Sequence, residues 1–307
     1  MFKNSFFAVF ICLLSIHGYA QIAPVKNAEV ALFNETDLLH HVKTLSSDAF
    51  EGRRTGTKGG FKAEKYIIEQ FKKSKALPLL PNYEQPFSFT SEGKHYDGKN
   101  VLGFIKGTLH PEKYIVISAH YDHEGIKNGQ IYNGADDDAS GVSALFTFAD
   151  YFKIHPPKHS VILAAFDAEE LGLQGSKYYV NHSIIPIKQI KVNLNMDMIS
   201  RSDKKELFAV GTVFNNTLKA IVKEHTYSKK IHFLTGHDEG HLEENWTYSS
   251  DHASFHKKGI PFLYFGVEDH KDYHQPTDDF ENIQPAFYIE AVKVILSVFE
   301  KIDASTF

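Results

Sequence analysis

Five short segments of this 307-residue chain concentrate side chains that can hold a metal ion or move a proton. They are His120-Tyr121-Asp122, the acidic run Asp136-Asp137-Asp138 within residues 133–141, Asp167-Ala168-Glu169-Glu170, Asp197, and Asp272-Tyr273-His274. Imidazole nitrogen and carboxylate oxygen are the usual zinc ligands besides thiolate. The one cysteine, Cys12, lies in an apolar N-terminal run, so a zinc site elsewhere must be built from His, Asp and Glu. The pair Glu169-Glu170 suits a divided task. Adjacent side chains at a strand end point in different directions, so one carboxylate can bind metal while the other faces the water to be activated. Two like charges side by side are costly unless a cation compensates them.

Each segment alone has an ordinary explanation. A single Asp after a strand commonly caps a helix or closes a turn, and most of the 18 histidines must be bystanders. The Glu pair could be a solvated acidic turn. The Asp136–Asp138 run could be the same, or a helix N-terminus, where negative charge is favoured; the spacing of an EF-hand calcium loop is absent. What favours a shared site is the position of these segments relative to the elements around them.

Short apolar runs rich in Val, Ile and Phe predict strands at Asn100–Lys106, Tyr114–Ala119, Ser160–Phe166, Val192–Asp197, Leu207–Gly211, Ile231–Leu234 and Pro261–Phe265. Helices are expected near Glu35–Leu45, Phe61–Lys73, Gly141–Phe152, Gln174–Asn181, Asn216–His225, His252–Lys257 and Ala286–Ile302. Leu77–Phe87, with three prolines, reads as an irregular connection. The alternation predicts a three-layer α/β/α fold around a mostly parallel mixed sheet. In such folds, sites form beyond the carboxyl ends of the strands. His120, Asp167 to Glu170 and Asp197 all follow predicted strands directly, and Tyr273-His274 follows the last one.

The opening residues have a short positive start, an apolar run over Phe6–Ile16, and Ala20. This is the pattern of a secretory signal peptide cleaved near Ala20, and the run is too short to span a bilayer. The expected product is exported, periplasmic or extracellular, with no stable membrane anchor, and residues 21–307 form one catalytic domain with a short N-terminal helical arm. A formal net charge of −5 makes nucleic acid a poor candidate partner. Oligomeric state is not legible.

The motifs together are specific. His120-x-Asp122, Gly134-x-x-Asp137-x-x-Ser140-Gly141, Glu169-Glu170-x-Gly172-x-x-Gly175-Ser176, Asn195-x-Asp197-Met198-Ile199, Ser250-Asp251-His252 and Tyr273-His274 resemble, in order and spacing, the secreted di-zinc aminopeptidases. Glu51-Gly52-Arg53 also resembles a segment of many bacterial members. The resemblance implies two Zn²⁺ ions bridged by Asp137. His120 and Asp197 would complete one site, and Glu170 and His274 the other. Glu169 would be the general base, Tyr273 would lie near the developing oxyanion, Asp122 would orient His120, and Asp251 would support the site from behind. Asp136 rather than Asp137 as the bridge is an alternative one residue away.

The implied reaction removes N-terminal residues from peptides with a free amine. A glutaminyl cyclase on the same scaffold, another amidohydrolase, and a non-catalytic binding module are competing readings. Trp246 and Tyr248, in the loop Gly236–Ser250, would either line an apolar pocket for the first substrate side chain or pack the loop.

Overall fold

A computed structural model describes residues 32–223, 228–238 and 244–305. The expected signal peptide and Cys12 lie outside the described residues. Leu32–Phe307 form one compact unit. The strands are β1 (Leu77–Pro78), β2 (Glu84–Ser91), β3 (Lys94–Ile105), β4 (His110–His120), β5 (Gly125–Lys127), β6 (Gln130–Tyr132), β7 (His159–Phe166), β8 (Ile190–Met196), β9 (Glu206–Val210), β10 (His232–Thr235) and β11 (Phe262–Gly266). The helices are α1 (Glu35–Leu45), α2 (Lys58–Lys73), α3 (Gly141–Ile154), α4 (Gln174–Asn181), α5 (Asn216–Lys223), α6 (His252–His256) and α7 (Pro285–Ala304). Among the described residues, no helix is long and apolar enough to cross a membrane.

The main sheet runs β1-β3-β7-β4-β8-β11-β9-β10, with β2 also pairing to β3. Its centre is parallel: β7 with β4, β4 with β8, and β8 with β11. Strands β3 and β9 turn antiparallel to this block. The sheet is therefore mixed, as expected. Alternate residues of β7 enter two separate cores. Val161, Leu163 and Ala165 pack with α1, α2, α3 and α7, while Ile162, Ala164 and Phe166 face Tyr179 of α4 and Phe255 of α6. Both faces are thus covered, which explains why these strands read as continuous apolar runs rather than as alternating ones.

Two expectations need correction. Leu77–Phe87 is not irregular throughout: β2 begins at Glu84 and pairs with β3 along its whole length. Pro86 is tolerated there because β2 has a single strand neighbour, so the missing N–H breaks no second ladder. The strand expected from Asn100 instead begins at Lys94. Its polar first half pairs with β2 and lacks the apolar signature of the buried second half. The C-terminal part of the helix expected to reach His225 lies outside the described residues.

Candidate active site

The parallel arrangement of β7, β4, β8 and β11 brings their carboxyl ends to one edge. His120 ends β4, the turn from Asp167 to Glu170 follows β7, and Asp197 follows β8. The loop after β11 carries Tyr273 and His274. Sharp turns leave these strand ends, with Ala168, Met198 and His274 in the left-handed backbone region. That conformation is uncommon for residues with a β-carbon and concentrates at functional sites.

Asp137 sits at the centre of the cluster. Its Oδ1 lies 3.1 Å from His120 Nε2, and its Oδ2 lies 3.1 Å from His274 Nε2. His120 Nε2 is also 3.5 Å from Asp197 Oδ1, and His274 Nε2 is 3.3 Å from Glu170 Oε2. Donor atoms of His120, Asp137 and Asp197 lie within 4.8 Å of one another, as do those of His123, Asp137 and Glu170, and those of Glu124, Glu170 and His274. These are N/O donor sets of the kind zinc accepts.

Asp136 has a different occupation. Its Oδ1 accepts from Ser200 N at 2.7 Å and Ser200 Oγ at 2.8 Å, while its Oδ2 stands 3.0 Å from His270 Nε2. Asp138 is turned away too, its carboxylate accepting from the backbone N–H of His120 and Gly141. Of the three consecutive acids, Asp137 alone belongs to the candidate metal-binding groups.

The loop holding Asp137 is organised from behind by Arg53, which is fully buried. Its guanidinium donates to the backbone carbonyls of Leu45, Tyr121 and Gly134 at 2.9 Å each. Arg53 thus directs its hydrogen bonds to main-chain oxygens, while its charge also attracts the carboxylates of Asp137, Asp278 and Asp138. Asp278 accepts the backbone N–H of Asp136 and Asp137. Together with the Asp136–His270 contact, this clamps the loop of Tyr273 and His274 against the loop of Asp137, and the Arg201–Asp272 ion pair ties the former to the loop after β8.

Asp122 is buried between two partners. Its backbone carbonyl is 3.1 Å from His120 Nδ1, nearer than its own Oδ1 at 3.7 Å. The carboxylate makes its shorter contact with the backbone N–H of Glu169, and a longer one with that of Glu170. Asp251 is wholly buried, and among the described residues neither carboxylate oxygen makes a well-aligned hydrogen bond. Burial, opposed by His120 but reinforced by Asp122 and Asp197, pushes its carboxyl up to about 7.

The electrostatics divide the acids. Burial alone would raise the Asp137 carboxyl, but His123, His120 and His274 outweigh it and hold that carboxyl well below the usual range. Burial also works against the charged form of Glu170, yet contacts with His123 and His274 bring its carboxyl down to about 2. Glu169 goes the other way: burial pushes it well up, with Asp197, Asp251 and Glu170 adding to the effect and His120 opposing it. Neighbouring carboxylates pushed apart in this way suit different roles.

A cavity of about 520 Å³ opens over these groups, lined by His120, Asp137, Glu169, Glu170, Asp197, Tyr273 and His274 among others. Leu173, Met198, Trp246 and Val267 supply apolar wall. Trp246 does both things considered for it: it lines the cavity, and it stacks on His237 with ring centroids 3.7 Å apart. Tyr248 does not line the cavity; it is half exposed and packs near His256.

The sequence reading missed His123, the fourth residue of His120-Tyr121-Asp122-His123, although its proximity to two chosen residues was a usable signal. It also missed the Asp136–His270 pair, for which the sequence holds no local sign.

The architecture matches solved structures at low identity. A zinc aminopeptidase from Bacillus subtilis superposes with a TM-score of 0.68 at 18% identity, covering 87% of this chain and 94% of that one. A Zn-dependent exopeptidase from Parabacteroides distasonis gives 0.71 at 19%, covering 87% and 98%. The glutaminyl cyclase of Porphyromonas gingivalis gives 0.72 at 17%, covering 88% and 98%. Among curated proteins, aminopeptidase YwaD of Bacillus subtilis is 34% identical over 196 residues, 60% of this chain and 40% of the relative's own length. Residues 100–299, a span containing every residue of the cluster from His120 to His274, match Peptidase family M28. The chain belongs to Peptidase family M28.

Proposed function

We propose that this protein is a zinc-dependent aminopeptidase acting on peptides with a free N-terminus through a two-metal site. The observation carrying the proposal is the division of Asp137: one oxygen faces His120 and Asp197, the other His274 and Glu170, with Glu169 in the same cavity. A carboxylate so divided, between N/O donor sets and without a cationic side chain among them, fits two Zn²⁺ ions. His120 and Asp197 would hold one ion, Glu170 and His274 the other, and Asp137 both.

When bound, zinc supplies Lewis acidity towards the peptide carbonyl and makes water acidic enough to serve as a nucleophile near neutral pH. Glu169 accepts the proton of the attacking water and then delivers it to the departing amine. Burial keeps the Tyr273 hydroxyl protonated, so it can donate to the oxygen that gains charge as the carbonyl becomes tetrahedral. Asp122 fixes the Glu169-Glu170 turn through its backbone N–H groups, and the buried Asp251 adds negative charge behind Glu169 that favours its holding a proton.

Kinship to an aminopeptidase within the family favours this reading over the glutaminyl cyclase, which is supported by likeness of fold alone. The test is a panel of aminoacyl nitroanilides, their N-acetylated counterparts and glutaminyl peptides, with and without a chelator. Chelator-sensitive release from free-amine substrates only is the expected result. Ammonia release from glutaminyl peptides alone would replace the reading with the cyclase, and silence across the panel would favour a binding role. Export is proposed on the N-terminal pattern. A mature protein beginning near Gln21 in the secreted or periplasmic fraction would bear it out; one retaining Met1 inside the cell would not.

A further inference from the structure

We propose that His123 is an additional protein ligand of the metal ion assigned to Glu170 and His274. The proposal rests on the two-metal reading and adds a donor that the aminopeptidase resemblance does not supply. His123 is completely buried, and among the described residues neither ring nitrogen makes a well-aligned hydrogen bond. A buried imidazole left in that state is costly, and such groups call for an explanation. Its Nδ1 is aimed into the site, 2.8 Å from Glu170 Oε1 and 3.7 Å from Asp137 Oδ2. Glu170 Oε1 is itself buried without a hydrogen bond, so the two atoms are close but not aligned as donor and acceptor. Two electron-pair donors side by side, each lacking a proton partner, are what a shared cation would bring together.

The His274 ring stands 5.9 Å from that of His123, centroid to centroid. The two imidazoles flank the same pair of carboxylates, with His274 Nε2 at 3.1 Å from Asp137 Oδ2 and 3.3 Å from Glu170 Oε2. The backbone accommodates the ring. A β-carbon on Gly134 would lie 2.6 Å from His123 Cγ and Cδ2, so the absence of a side chain there leaves room for the imidazole. Asp122, the preceding residue, is tied to the Glu169-Glu170 turn, which holds His123 and Glu170 in fixed relation.

The two ions would then be unequal. One would have a single imidazole with two carboxylates, the other two imidazoles with two carboxylates. The site with more nitrogen donors should bind zinc more tightly and fill first.

The test uses full-length processed protein, stripped of metal and titrated with Zn²⁺ against a chromogenic chelator. Two binding classes are expected, and His123→Ala should weaken the tighter class by tenfold or more. His123→Asn keeps a side chain able to hydrogen-bond to Glu170, so it would restore affinity if His123 only positioned that carboxylate; no restoration is expected. In ¹⁵N-histidine-labelled protein, the Nδ1 resonance missing from the His123→Asn spectrum should shift with the first equivalent of zinc. Matching melting curves for the metal-free forms would show that both variants fold. Wild type taking up two ions, with unchanged affinities in His123→Ala or restored ones in His123→Asn, overturns the proposal while leaving the two-metal reading standing. Wild type taking up a single ion overturns both.

Discussion

Asp122 Oδ1 accepts the backbone N–H of Glu169 at 2.9 Å. One buried carboxylate thereby holds the turn that carries the proposed base, while the backbone carbonyl of the same residue meets His120 Nδ1. Asp122→Ala should release the Glu169-Glu170 turn while leaving the backbone contact to His120 in place. Loss of an outer partner of a ligating group typically costs 10- to 100-fold in metal affinity or activity. A fall of about that size in kcat/KM, with weaker zinc retention during dialysis against a chelator, is expected. Unchanged values of both would deny Asp122 a positioning role.

Glu169→Gln preserves size and removes the proton acceptor. We expect zinc content to remain at the wild-type level while kcat falls roughly 10²- to 10⁴-fold. Elemental analysis alongside steady-state kinetics separates this from a metal defect. A variant that is inactive because it has lost zinc would make Glu169 a ligand rather than a base.

Gly134→Ala tests the shape of the acidic loop. Gly134 has φ of +56°, and an added β-carbon would lie 2.1 Å from the carbonyl oxygen of Asp137, a backbone atom that cannot easily yield. The substitution should lower thermal stability and displace Asp137. Diminished zinc stoichiometry and a lower melting temperature are expected together. An unaltered melting temperature would mean that the loop relaxes freely.

Acid stability should reflect two histidines away from the metal cluster, the part-buried His41 and the buried His252. Burial lowers His41 to about 4, helped by His40, and lowers His252 to about 3. Both lie below the ordinary value of 6.5, so the unfolded chain binds protons that the folded chain refuses. Their stabilisation is full above pH 6.5 and is lost as pH falls towards 4 for His41 and 3 for His252. At about 1.4 kcal/mol per pH unit, the buried His252 contributes on the order of a few kcal/mol, and the part-buried His41 less because solvent screens it. His252→Phe removes one titrating group from between Phe262 and Tyr264. Urea unfolding of metal-free protein between pH 6.5 and 4 should show a shallower loss for the variant than for wild type. Parallel curves would mean that His252 does not couple to acid unfolding.

The parts legible in the sequence were those governed by local rules. The bounds of α1 and α4 follow from their amphipathic pattern and flanking residues, and the parallel block follows from apolar runs buried on both faces. The acids at strand ends were legible because chain direction in a parallel sheet brings those ends together. The hairpin of β5 and β6 was available in Asn128-Gly129, whose positive φ angles suit a tight two-residue turn, but the strands are only three residues each. Arg53 and the Asp136–His270 pair were not legible in their roles, while His123 was signalled only by its place beside His120 and Asp122. Each acts on atoms far away in sequence or across a loop, and nothing local distinguishes Asp136 from Asp137 before the neighbouring loops are packed.

The clamp between the two site loops has a consequence for timing. Asp137 is set in place by Asp278, and Asp136 meets His270, yet both of these partners lie 134 to 142 residues further along the chain. A polypeptide still emerging from the ribosome holds His120, Asp137, Glu169, Glu170 and Asp197 long before it holds His274. Translation runs from the N-terminus, so His274 and the loop that fixes Asp137 are made after every other group of the cluster. A nascent or C-terminally truncated chain would therefore be a proteolytically silent one.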